Sequence, residues 1–161
     1  NKTDTGLYEL QGNNNVTGQH SIAQASVIVP HGIICMLSAL QFHEIGTEVP
    51  NATWIALPRG SKKPRKSHPP MRFIYVKKEY LKWGFEKHTI ENIEVKITSA
   101  PRTVVDCFKF RNKIGIDVAV EALRNSVTKK LCTISEISDA ASKCRMIKVM
   151  APYMEMLWKR K

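Results

Sequence analysis

Residues 99–124 read SAPRTVVDCFKFRNKIGIDVAVEALR, and the architecture can be built outward from them. Ser99 is a good helix cap, and Pro101 suits a first turn, where the N–H it lacks would be unpaired anyway. A helix is predicted from there to about residue 112. Gly115 ends it, and the next helix carries Ile116, Ala119, Val120, Leu123 and Val127 on one apolar stripe. Arg102 stands one turn before Asp106, within reach of an ion pair. Phe108 and Phe110 point to different faces of their helix, and Asp117, Glu121 and Arg124 are spaced to pair on the outside of the next. The physical reading is a helical hairpin locked by an arginine–aspartate bridge, which by itself names no function.

Toward the C-terminus, Thr133 and Glu136 have capping-box spacing for a third helix with Ile134, Ile137, Ala141 and Cys144 inward. A last helix carries Ile147, Met150, Met154, Leu157 and Trp158, with Pro152 placed to kink or split it. Met146, Met150 and Met154 recur every fourth residue, which fits core packing better than an adaptable partner-binding stripe.

Toward the N-terminus, TWIAL at 53–57, RFIYV at 72–76 and IEVKI at 93–97 read as strands. Between the first two lies RGSKKPRKSHPP, whose prolines and like charges forbid a helix or a central strand. The pair is therefore expected to be a hairpin with a long basic loop. Pro30 is expected to open a helix reaching about residue 43, after a weaker helix over 20–29. Residues 79–83 read as a helical turn stopped by Gly84, 6–10 as a short strand and 11–15 as a polar linker. Together these elements predict an α+β fold: a small, mainly antiparallel sheet flanked by a C-terminal group of helices.

With 161 residues the chain has room for one domain with a sizeable core and a short appended piece. No apolar run approaches the roughly 20 residues that cross a bilayer. The start, Asn1-Lys2-Thr3-Asp4, has neither the basic flank nor the apolar stretch of a signal peptide. Cys35, Cys107, Cys132 and Cys144 include no close C-x-x-C pair, so buried, reduced thiols in a cytoplasmic protein are expected.

The formal charge is +11, unevenly placed. From Arg59 through Lys87 ten Lys or Arg residues face only Glu79 and Glu86, which favours an anionic partner. In the loop, Arg59, Lys62, Lys63, Arg65 and Lys66 are candidate contacts to phosphate or to an acidic protein face. The loop itself lacks the aromatics that stack single-stranded bases. The bland alternative is a solvated loop.

Signatures of catalysis are sparse. No Walker loop, G-x-G-x-x-G, H-E-x-x-H or G-x-S-x-G occurs, and the five histidines are dispersed, so no catalytic residue, cofactor or metal ligand is assigned. Glu94 and Lys96 form the E-x-K half of a metal-dependent nuclease site, in which the carboxylate holds Mg²⁺ and the lysine steadies the attacking water. That site also needs an acidic residue on a preceding strand, and none is evident. A nuclease domain and a stand-alone nucleic-acid-binding module remain the alternatives to a partner-binding protein.

Ser99, Thr103, Asp106, Phe108, Lys109, Phe110, Arg111, Gly115, Asp117, Ala119, Glu121 and Leu123, in this order, resemble the C-terminal domain of AbiEi-type antitoxins of abortive-infection, type IV toxin–antitoxin systems. Pro30-His31-Gly32, Trp54-Ile55-Ala56 and Met150-Ala151-Pro152-Tyr153 extend the likeness, which spans about residues 20–158. It departs at Pro101 and Arg102, where the pattern has alanine and lysine. The resemblance implies an antitoxin and transcriptional regulator, not an enzyme, countering a nucleotidyltransferase toxin without necessarily forming a stable complex with it. It implies that an N-terminal winged helix-turn-helix, whose reading helix is not in these residues, holds the operator DNA. Residues 1–18 would then be the wing strand and linker, and 19–161 the antitoxin domain. Arg102, Asp106, Phe108, Arg111, Gly115 and Glu121 would be its motif residues.

Overall fold

Alternation of apolar and charged residues on 93–97 demands a strand with one covered face. The computed structural model describes residues 14–65 and 68–159, and within them this demand is met by a five-stranded sheet. In chain order the elements are α1 (Asn14–Ile28), β1 (Ile33–Ile34), α2 (Met36–Phe42), β2 (Thr53–Pro58), β3 (Met71–Val76), a 3-10 turn (Lys78–Leu81), β4 (Phe85–Ile90), β5 (Ile93–Thr98), α3 (Ala100–Lys109), α4 (Arg111–Ile114), α5 (Ile116–Thr128), α6 (Ile134–Lys143) and α7 (Ile147–Lys159). The strands lie in the order β3-β2-β1-β5-β4.

The α+β expectation holds, but the sheet is mixed rather than mainly antiparallel. β1 runs antiparallel to β2 and β4 antiparallel to β5, whereas β1 with β5 and β2 with β3 are parallel. The expected hairpin of β2 and β3 is thus corrected. Thr53 stands beside Met71 and Pro58 beside Val76, so the basic segment is a crossover returning along the strands. A parallel pair needs a connection of a dozen or more residues, and residues 59–70 provide it. β4 and β5 do form a hairpin, closed by Glu91 and Asn92, both at positive φ as a primed two-residue turn requires.

Other boundaries differ. Residues 30–43 do not form one helix: Ile33 and Ile34 pair with β2 and β5, and the Cys35 N–H donates to the Trp54 carbonyl before α2 begins. α1 starts at Asn14, inside the stretch read as linker. The strand expected at residues 6–10 lies outside the described residues. Pro152 sits inside α7.

Three apolar clusters hold the layers together. Ile22 and Ala25 of α1, with Val29 just beyond its end, cover Ile34, Ile55, Leu57, Val95 and Ile97 on one face of the sheet. On the other face, Ile33, Trp54, Ala56, Ile74 and Val76 are covered by Met36, Leu81 and Phe110. The helical group packs around Val104, Phe108, Leu123, Ile137 and Met150. Met146 and Met150 are buried there and Met154 half-buried, in keeping with core packing. No helix among the described residues is long and apolar enough to cross a membrane.

Candidate functional site

Between sheet and helices the junction is made at 98–106. The Ser99 hydroxyl accepts from the Arg102 N–H at 3.4 Å, with Pro101 in the first turn, as the sequence required. Thr103 donates to the Ser99 carbonyl at 2.7 Å, and its hydroxyl lies 2.6 Å from that of Thr98. α3 is thereby fixed in direction as it leaves β5.

One turn later the expected lock is present. Arg102 Nε donates to Asp106 Oδ1 at 2.9 Å, and the two side chains are only 5% and 7% exposed. Arg102 Nη1 donates to the Trp83 carbonyl at 3.1 Å, and the guanidinium carbon sits 4.7 Å from the Trp83 ring. Gly84 follows at φ +75°, and a Cβ there would meet the Arg102 side chain at 3.2 Å. Its carbonyl accepts from the Ser99 N–H. A glycine is needed at this position for both reasons.

Burial raises the Asp106 carboxyl, and Arg102 pulls it only part of the way back. Burial acts to lower Arg102, but Asp106 beside it leaves the guanidinium raised on balance. Cys35, Cys107, Cys132 and Cys144 are all buried free thiols, raised by desolvation first. Such thiols are poor nucleophiles.

Three further motif residues have structural tasks. Phe108 is fully buried, its ring 5.4 Å from that of Tyr153, while Phe110 packs on the sheet side, so the two do face different ways. Arg111 Nη1 donates to the Phe108 carbonyl at 2.8 Å, satisfying an acceptor at the end of α3. Gly115, at φ +97°, joins α4 to α5. The helix expected to reach residue 112 is interrupted at Phe110, which separates α3 from α4. Asp117, Glu121 and Arg124 form no ion pair among the described residues.

No family model and no curated protein matches the chain. Arg59, Lys62, Lys63 and Arg65 are exposed on the crossover, and Lys66 lies outside the described residues. Glu94 is exposed beside half-buried Lys96, but opposite them on β4 stand Thr89 and Lys87, where an E-x-K site needs a carboxylate.

The structure adds a group the sequence reading passed over. Lys109 Nζ lies 4.1 Å from the Tyr80 ring centre, Lys143 Nζ 4.8 Å from that of Trp83, and Lys96 Nζ 5.7 Å from that of Phe85. A signal was available in KKEYLKWGF at 77–85, where aromatics alternate with lysines just beyond the basic loop.

Proposed function

We propose that this chain carries the antitoxin activity of an AbiEi-like transcriptional regulator and acts in the cytoplasm on a nucleotidyltransferase toxin, with no catalysis of its own. The supporting observation is the environment of the resembling residues. Ser99, Thr103, Asp106, Phe108 and Gly115 occupy the positions that orient the helical group, and the Arg102–Asp106 pair is closed inside it. The arginine that replaces the pattern's lysine makes three contacts at once: to Asp106, to the Trp83 carbonyl and to the Trp83 ring. A planar fork suits that task better than an ammonium. On this reading the motif builds a rigid platform, and the exposed basic surface around it meets the partner.

Operator DNA would be held mainly by a preceding winged helix-turn-helix, with Arg59, Lys62, Lys63, Arg65 and Lys66 lending phosphate contacts. The deciding experiment is growth rescue. The chain is co-expressed with the nucleotidyltransferase encoded beside its gene, and survivors are counted. Rescue supports the reading. Failure by a chain that circular dichroism shows to be folded removes the antitoxin activity from these residues. For the loop, charge reversal at Lys62, Lys63 and Arg65 is expected to weaken operator affinity or rescue in the full regulator. If both stay unchanged, the loop has no such role.

A further inference from the structure

The connection from β3 to β4 lies on the sheet face opposite α1, where Tyr80 and Leu81 pack on that face and Lys77, Lys78 and Lys82 remain exposed. Along it three rings, Tyr80, Trp83 and Phe85, are each half-buried and each carry a lysine ammonium: Lys109 at 4.1 Å, Lys143 at 4.8 Å and Lys96 at 5.7 Å. The three lysines come from three different elements, so the row is assembled by the fold and not by one charged run.

Two properties of the row define its ligand. Its lysines are not tied up by carboxylates: none of the three forms an ion pair among the described residues, Glu79, Glu86 and Glu94 are exposed, and Asp106, the carboxylate whose charge reaches Lys109, is already paired with Arg102. Two of its rings are held from within by the buried Arg102 guanidinium, 4.7 Å from the Trp83 ring and 5.8 Å from that of Tyr80, and Phe85 packs on the sheet face. An ammonium on a flexible stem is displaced from a ring more readily than the ring is displaced from the protein. A base stacking on the ring would move the lysine aside, toward the phosphate that accompanies the base. Alternating cations and rings of this kind bind single-stranded nucleic acid. A duplex keeps its base faces inside the stack and has no use for the rings. An acidic protein surface would engage the charges alone.

We infer that the Tyr80–Trp83–Phe85 face binds single-stranded polynucleotide, stacking bases on the rings and placing phosphates on Lys109, Lys143 and Lys96. This goes beyond the antitoxin reading and does not depend on it.

The test uses the whole chain and fluorescence anisotropy with labelled oligothymidylate and oligouridylate of about fifteen nucleotides, a length covered by the usual site sizes. A DNA duplex of the same length and a polyglutamate peptide are the comparisons. The single strands are expected to bind at least about tenfold more tightly than the duplex and to quench tryptophan fluorescence. Lys109→Gln and Lys143→Gln should each lower the affinity and reduce the slope of log K against log salt by about 0.7. Tyr80→Leu should lower the affinity about tenfold and leave that slope unchanged. All variants are first matched to the parent in their melting curves. The two lysine variants, on partly exposed side chains, keep the test decisive if Tyr80→Leu does not fold. Equal affinity for duplex and single strand, equal affinity for polyglutamate, or indifference to both lysine substitutions would overturn the inference.

Discussion

Arg102 and Asp106 show how one buried pair constrains what each residue can tolerate. Removing a partner from a buried ion pair typically costs about 3–5 kcal/mol, because a charge is left in a poor solvent. The two removals here are unequal. A guanidinium does not deprotonate in a protein, so Asp106→Leu leaves an uncompensated cation and should cost about 3–5 kcal/mol. A carboxyl can protonate, and burial already raises that of Asp106. Arg102→Met should therefore cost less. In that variant the folded-state pKa of Asp106 stands above its unfolded value, so the folded chain holds the proton more tightly. The penalty is then fully present above the folded pKa and fades as pH falls toward the unfolded value near 3.9. The double variant should be more stable than Asp106→Leu alone. Urea denaturation between pH 5 and 8 measures all three. A cost for Arg102→Met that does not shrink toward pH 5 would mean that loss of its Trp83 contacts, not the stranded carboxylate, dominates.

Elements differ in how much of them local sequence decides, and α6 is the clearest case. The Thr133 hydroxyl accepts from the Glu136 N–H at 3.1 Å, and Glu136 Oε1 accepts from the Thr133 N–H at 2.8 Å, the reciprocal box that the spacing predicts. Thr133→Ala should cost about 1 kcal/mol in a thermal melt, and Thr133→Ser nearly nothing. Equal losses for the two would mean that the methyl, not the hydroxyl, is what counts. The α3 cap, the Arg102–Asp106 lock and the inward methionines were legible for the same reason: each depends on residues within about one turn. The direction of β3 was not. Prolines and lysines at 59–70 forbid regular structure equally well in a hairpin and in a crossover, and only the seating of β1 between β2 and β5 separates the two. β4 escaped because Glu86, Lys87, His88 and Thr89 put polar groups on both faces, as an edge strand allows. Ile33 and Ile34 fall inside the helix expected over 30–43, since a buried apolar pair has no period of its own to mark it as a strand. Within the candidate site, the arginine–aspartate pair was readable along one helix, whereas the pairing of Lys109 and Lys143 with Tyr80 and Trp83 needed three elements brought together.

At the scale of the molecule, charge is the property that the fold leaves unbalanced. The formal net charge is +11, yet among the described residues the ion pairs are Arg102–Asp106 and two histidine–glutamate contacts. Among the described residues no lysine is paired with a carboxylate, so the like charges repel one another across the surface. Self-repulsion of this kind destabilises a compact state, because unfolding moves like charges apart. Salt of modest concentration screens charges beyond about 10 Å and so weakens the repulsion, while the buried pair is screened much less. The melting temperature should thus rise when sodium chloride increases from about 20 to 200 mM, a range over which the Debye length falls from about 20 Å to below about 10 Å. Chloride is chosen over sulfate, which stabilises by exclusion from the surface and would mask the effect. A stabilisation of about 1 kcal/mol would appear as roughly 2–4 °C in a chain of this size. A fall would mean that favourable surface pairs outweigh the repulsion, and the basic faces would then be neutralised from within. A rise leaves them free for an anionic partner, which would itself stabilise the fold by mass action in proportion to its occupancy.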